Sequence, residues 1–227
     1  MFVDGGSGSF APASTINEHL KMELYQVEAR FNLQQVWNDQ FFWEWQGNLP
    51  EITDEEKHWL DKVKADFLSL APYPSHEEIV KLFVLAPILS LANLTSYPFI
   101  PIAEKQVEFD YEEDETKIRG KIDLLILHQQ LWMIVIESKP KQSDALTALP
   151  QALFYMMNNP NAEKPTFGLL TNGNRFIFVK LVQQDKPTYA LSEDFSLYGR
   201  GNELYDVLAI LKGLRDRILN PNSHKDF

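Results

Sequence analysis

Gly120-Lys-Ile-Asp-Leu-Leu-Ile-Leu127, followed closely by Leu131-Trp-Met-Ile-Val-Ile-Glu-Ser-Lys139, is the stretch whose reading decides the fold. Ile118 to Leu127 reads as one strand and Leu131 to Glu137 as the next, with His128-Gln-Gln130 as the connection. So short a connection makes the two strands antiparallel neighbours. Leu131 to Ile136 is apolar at every position, as a strand covered on both faces reads, which predicts a place at the centre of a sheet. Asp123 interrupts the first run, although Asp is disfavoured in strands. That points to a functional role for it. Glu137 and Lys139 are two residues apart, so their side chains leave the same face of the strand.

Outward from this pair, Val107 to Tyr111 reads as a strand and Glu112 to Thr116 as a solvated turn. Downstream, a helix is expected from about Asp144 to Asn158. Thr166 to Leu170 and Phe176 to Val182 then form strands around Thr171-Asn-Gly-Asn174, where Asn172-Gly173 is a strong hairpin signal. A short strand over Thr188 to Leu191 and an amphipathic helix from Asn202 to Leu219 close the pattern.

Upstream, Ser96-Tyr-Pro-Phe-Ile-Pro101 is a breaker-rich connection to a helical region. Three capping boxes mark helix starts there: Thr15 to Glu18, Thr53 to Glu56 and Ser75 to Glu78. The first helix is expected to run through Tyr25 and Phe31 towards Val36. The third is expected to bury Ile79, Leu82, Phe83, Ala86 and Leu89. Trp37, Phe41, Phe42, Trp43 and Trp45 read as core packing between helices; a partner surface would need them exposed. The expected class is α/β, a mixed central sheet flanked by helices, with an α-helical N-terminal extension. Its divisions are a flexible N-terminus over 1–13, a helical extension over 14–72 and the α/β domain over 73–227.

Composition narrows the function. The chain has 227 residues, 44% of them hydrophobic and 12% aromatic, enough for a proper core. It has no cysteine, which excludes disulfide scaffolds, thiolate zinc sites and cysteine nucleophiles. A formal net charge of −11 argues against a strongly basic nucleic-acid binder. The charge is uneven, however: acids dominate from Glu104 to Glu115, and bases outnumber acids from Lys117 to Lys180. The N-terminus has no basic, apolar leader, and the apolar stretch Leu82 to Leu94 is too short to span a bilayer. The expectation is a soluble, cytoplasmic protein without membrane contact. No Walker A sequence is present, so no NTP-driven motor of that kind is expected.

The chemistry concentrates on Asp123, Glu137, Lys139, Gln151 and Tyr155. Gln151 and Tyr155 are four apart and share a helix face. One site can then hold two carboxylates, an ammonium, an amide and a phenol. Two carboxylates are what Mg²⁺ (or Mn²⁺) uses when phosphate and water supply its other ligands, and the Ser138 carbonyl is a further oxygen. A lysine beside such a metal can orient or deprotonate water and neutralise charge on phosphorus. Plainer roles stand beside these. Asp123 can pair with Lys121 or Arg119, Glu137 to Pro140 can be the polar end of a strand, and Gln151 and Tyr155 can be helix surface and core. Glu78 has its capping duty, and His76 and His128 read as surface residues.

Asp123, the Glu137-x-Lys139 pair and the following helix resemble the PD-(D/E)xK phosphodiesterase superfamily, with Ile122 where that family often has Pro. Gln151-x-x-x-Tyr155 resembles the extra motif of its RecB-like branch. Gly168 to Phe178, with its Thr-Asn-Gly turn, and the upstream run Glu77 to Leu89 resemble the N-terminal nuclease domain of type I restriction enzyme R subunits. The resemblance covers about residues 75–182. It implies a Mg²⁺-dependent DNA endonuclease in restriction or defence, with metal on Asp123 and Glu137 and a further ligand in Glu77. Lys139 would serve the attacking water, Gln151 and Tyr155 would position the site, and DNA and partner subunits would be its partners. The alternatives are a non-catalytic binding or assembly module on the same fold and a repair-type nuclease.

Overall fold

The computed structural model describes residues 22–220, apart from 46, 48, 75, 112–115, 129–130 and 185. The described chain opens with helix α1 (Leu24–Phe31), a short strand β1 (Gln34–Gln35) and a 3-10 turn over Asp39–Trp45. Helix α2 (Asp54–Ser69) follows. Then α3 (Glu77–Val80), a π-helical segment (Lys81–Leu85) and α4 (Ala86–Leu91) run end to end. Next come β2 (Phe99–Tyr111), β3 (Thr116–His128) and β4 (Leu131–Ser138). A 3-10 turn (Ala145–Ala148) leads into α5 (Leu149–Met157), and β5 (Thr166–Thr171), β6 (Arg175–Val182), β7 (Thr188–Ser196) and α6 (Leu204–Leu219) complete the fold.

The class is α/β. One mixed sheet has the order β1-β7-β6-β5-β4-β3-β2. Strand β4 is antiparallel to β3 and parallel to β5, so the all-apolar run lies inside the sheet. Ile134 and Ile136 enter an apolar cluster with Phe67, Ile88 and Leu208 from α2, α4 and α6. Val135 enters another with Val27 and Leu153 from α1 and α5. Helices on both faces are what an apolar run without alternation requires. The hairpin expected at Asn172-Gly173 joins β5 to β6. Gly173 has φ +84°, and a Cβ there would collide with the Phe67 ring.

The helical half departs from its sequence reading in several places. The Thr15 box lies outside the described residues, as do the 1–13 segment and most of the turn expected over Glu112 to Thr116. Helix α1 starts instead from a reciprocal box of Glu23 and Gln26. It ends at Asn32 in the left-handed region, short of Val36. Gln34–Gln35 then pairs in parallel with β7. The Thr53 box forms as expected: the Glu56 N–H donates to Thr53 Oγ1 at 3.2 Å, and the Thr53 N–H to Glu56 Oε2 at 2.9 Å. Ser75 is not described, and His76 occupies the N-cap position of α3 without a side-chain capping bond.

Of the expected stripe, the third helix buries Leu89 and partly Ile79, but Leu82 is 64% exposed and Phe83 and Ala86 are also exposed; Val80, Val84, Leu85 and Ile88 are buried instead. The segment is apolar on nearly every side, so periodicity alone could not choose the face. The first strand of the β3 hairpin begins at Phe99, not Val107, and carries Pro101. An edge strand tolerates that proline, because its N–H side need not pair. His128 is buried against the Phe99 ring, centroids 5.3 Å apart, and is not a surface residue.

The aromatic run divides. Phe42 and Trp45 stack at 4.5 Å and join the core. Trp37 is 86% exposed and Trp43 53%, so the all-core reading is corrected. A buried ion pair fastens this segment to the sheet, Lys180 Nζ to Glu44 Oε1 at 2.6 Å. Lys180 also donates to the Phe41 carbonyl at 2.7 Å. No described helix is long and apolar enough to cross a membrane.

Candidate active site

The backbone ladder between β3 and β4 runs from His128–Leu131 to Leu124–Ile136 and stops there. The next residues on the two strands are Asp123 and Glu137, and their carboxylates take over the pairing. The Asp123 N–H donates to Glu137 Oε1 at 3.4 Å. The Ser138 N–H donates to Asp123 Oδ2 at 2.8 Å, and its hydroxyl to the same oxygen at 3.2 Å. Two acidic side chains thus meet where the β3–β4 pairing ends, inside β3 and near the end of β4.

Their burial is costly. Glu137 is fully buried, and its Oε2 has no hydrogen-bond partner. Burial first, then the charge of Asp123, pushes its carboxyl well above the usual range, against the opposing charge of Lys139. Asp123 is raised too. Burial outweighs the Ser138 N–H bond, Glu77 adds repulsion, and Lys81 and Lys139 oppose it. Each carboxylate disfavours the other's charge, a pattern that clusters at functional sites.

Lys139 leaves β4 with its N–H bonded to the Thr171 carbonyl at 2.8 Å. Its Nζ donates to Gln151 Oε1 at 3.4 Å. Gln151 Nε2 in turn donates to the Tyr155 hydroxyl at 3.2 Å and to the Lys121 carbonyl at 3.4 Å. The Tyr155 hydroxyl accepts from the Lys121 N–H at 2.9 Å and donates to the Lys121 carbonyl at 3.1 Å. Tyr155 is fully buried, and burial, with the Glu137 charge, raises its phenol so that it stays a neutral donor. Helix α5 therefore grips β3 two residues before Asp123. Gly120 makes room for the grip, since a Cβ there would lie 2.7 Å from the Tyr155 hydroxyl.

Glu77 reaches this group through a residue that the sequence reading passed over. Lys81 Nζ lies 2.7 Å from Glu77 Oε1 and 3.3 Å from Asp123 Oδ1. Its signal was available, because Glu and Lys four apart on a helix form the favoured pair. Ser138 was read only for its carbonyl, whereas its N–H and hydroxyl hold Asp123. Among the described residues no three His, Cys, Asp or Glu side chains converge directly as a ligand set. The Lys81 ammonium stands between Glu77 and Asp123.

The sequence matches no protein-family profile and no curated protein. Among solved structures, the chain is similar to a fragment assigned as an HsdR subunit of a type I restriction enzyme from Vibrio vulnificus YJ016. The two share 16% identity with a TM-score of 0.43. The match covers 68% of this chain but only 27% of that one. A likeness of this degree leaves function to the site's own geometry.

Proposed function

We propose that the chain is a divalent-cation-dependent nuclease that hydrolyses DNA phosphodiester bonds, with a restriction-endonuclease-like core. The observation that carries this reading is the meeting of Asp123 and Glu137 where the β3–β4 ladder ends, with Glu137 Oε2 buried and unpartnered. An all-oxygen donor set with one orphaned oxygen fits a hard cation such as Mg²⁺ or Mn²⁺. Asp123 and Glu137 would hold it; Glu77 would join them only once the Lys81 ammonium that stands between it and Asp123 has moved aside. A bound cation supplies Lewis-acid polarisation of a phosphoryl oxygen and a more acidic water.

The chain's own residues do the rest. Lys139 leaves the strand on the Glu137 side and is held by Gln151. Its ammonium can hydrogen-bond the attacking water and offset negative charge that develops on phosphorus. Gln151 and Tyr155 are positioning residues. One steadies Lys139, and the other fixes the β3 backbone beside Asp123. Restriction or defence is the setting that the motif resemblance implies.

The exposure of Trp37 and Trp43 favours a second reading, a binding or assembly module that keeps the fold without the chemistry. A plasmid-nicking assay separates the two. Supercoiled DNA is expected to be nicked with Mg²⁺ or Mn²⁺, spared with EDTA, and spared by Asp123→Ala. Intact plasmid under all conditions favours the module.

A further inference from the structure

Lys81 occupies a special place at this site. Its ammonium bridges Glu77 and Asp123 at 2.7 and 3.3 Å. It also opens the π-helical segment, where the Ala86 N–H reaches back five residues to the Lys81 carbonyl. Pro87 follows directly. Its ring would crowd the carbonyl of Phe83 in a regular α-helix and it has no N–H to give, so a wider turn just upstream relieves the conflict. Burial works against the ammonium, but the Glu77 hydrogen bond and the Asp123 charge outweigh it and hold Lys81 above the usual lysine range. The side chain is still 26% exposed, which leaves it a way out to solvent. Glu137 Oε2, with no partner of its own, completes an oxygen-rich group. Its positive charge comes from Lys81 on one side and Lys139 on the other.

We propose, resting on the reading of Asp123 and Glu137 as cation ligands, that Lys81 is a displaceable counter-ion. It balances Glu77 and Asp123 while no divalent cation is bound, and must swing out for the cation to load. The wide turn and Pro87 fix the helix that presents it, so its Nζ returns to the same two oxygens when the cation leaves. Two consequences follow from competition for the same carboxylates. Lys81 stabilises the cation-free protein, and it weakens cation binding.

Calorimetric titration of Mn²⁺ into the full chain tests this, with thermal melts in EDTA and in saturating Mn²⁺. The proteins are wild type, Lys81→Met, Lys81→Gln, Lys81→Arg, and Lys81→Met combined with Asp123→Asn. Lys81→Met and Lys81→Gln are expected to bind Mn²⁺ about tenfold more tightly than wild type, the scale on which one partly buried ion pair acts. They are expected to melt below wild type in EDTA, and Mn²⁺ is expected to close that gap. Lys81→Arg keeps the charge and stays near wild type. Should Lys81→Met not fold, Lys81→Gln decides in the same way. Equal or weaker binding by the uncharged variants, lost again with Asp123→Asn, overturns the counter-ion and leaves the cation site standing. Binding that ignores Asp123→Asn, or no binding by any protein, overturns both.

Discussion

Without a bound cation, Glu137 must either keep a proton or carry charge with one oxygen unpartnered. Its raised pKa means that the folded state holds the proton more tightly than the unfolded chain does. The stability this contributes is complete below the ordinary glutamate value of 4.5 and is lost as pH rises through the higher folded value. Glu137→Gln mimics the protonated form at every pH. In EDTA it is expected to melt above wild type at pH 8, with the gap narrowing towards pH 5; a constant gap would contradict the assignment. Asp123 is shifted in the same direction and adds to the trend. At this scale much of the site was legible. An Asp inside an apolar strand, and Glu and Lys two apart on the next, needed no tertiary information. The grip of Tyr155 on the Lys121 backbone was not legible, because it depends on which strand the helix lies against. For Lys81 only the pairing with Glu77 was legible; its contact with Asp123, on a strand far along the chain, was not.

Among the elements, the strands were easier to read than the helices. Strand β4 declares itself by apolar residues at every position, and the β5–β6 hairpin by Asn172-Gly173. The third helix does not, since several apolar stripes compete and the choice falls to the surface it meets. Strand β1 is two residues long and exists only because β7 lies beside it. The 3-10 segment Asp39–Trp45 is likewise held by long-range contacts, chiefly the Glu44–Lys180 pair, whose two side chains are 5% and 4% exposed. Removing one partner of such a pair strands the other charge. Lys180→Met is expected to lose about 3–5 kcal/mol in urea unfolding, and adding Glu44→Leu to recover most of it. An equal loss in the single and double variants would show that packing, not the unpaired charge, is responsible.

For the whole molecule, the net charge of −11 bears on the proposed action on DNA. Phosphate contacts weaken as salt rises, and an acidic chain starts with little long-range attraction to spare. DNA cleavage is therefore expected to fall steeply between low and moderate ionic strength. If Lys139 serves chemistry at a site built by Asp123 and Glu137, its loss separates DNA binding from cleavage. Wild type and Lys139→Ala are assayed at low salt with Mg²⁺, following DNA binding and plasmid cleavage on the same preparations. Lys139→Ala is expected to bind DNA as wild type does but to cut it at least ~100-fold more slowly, the usual scale for a positioned acid–base group. Cleavage by Lys139→Ala at the wild-type rate would contradict that role of Lys139.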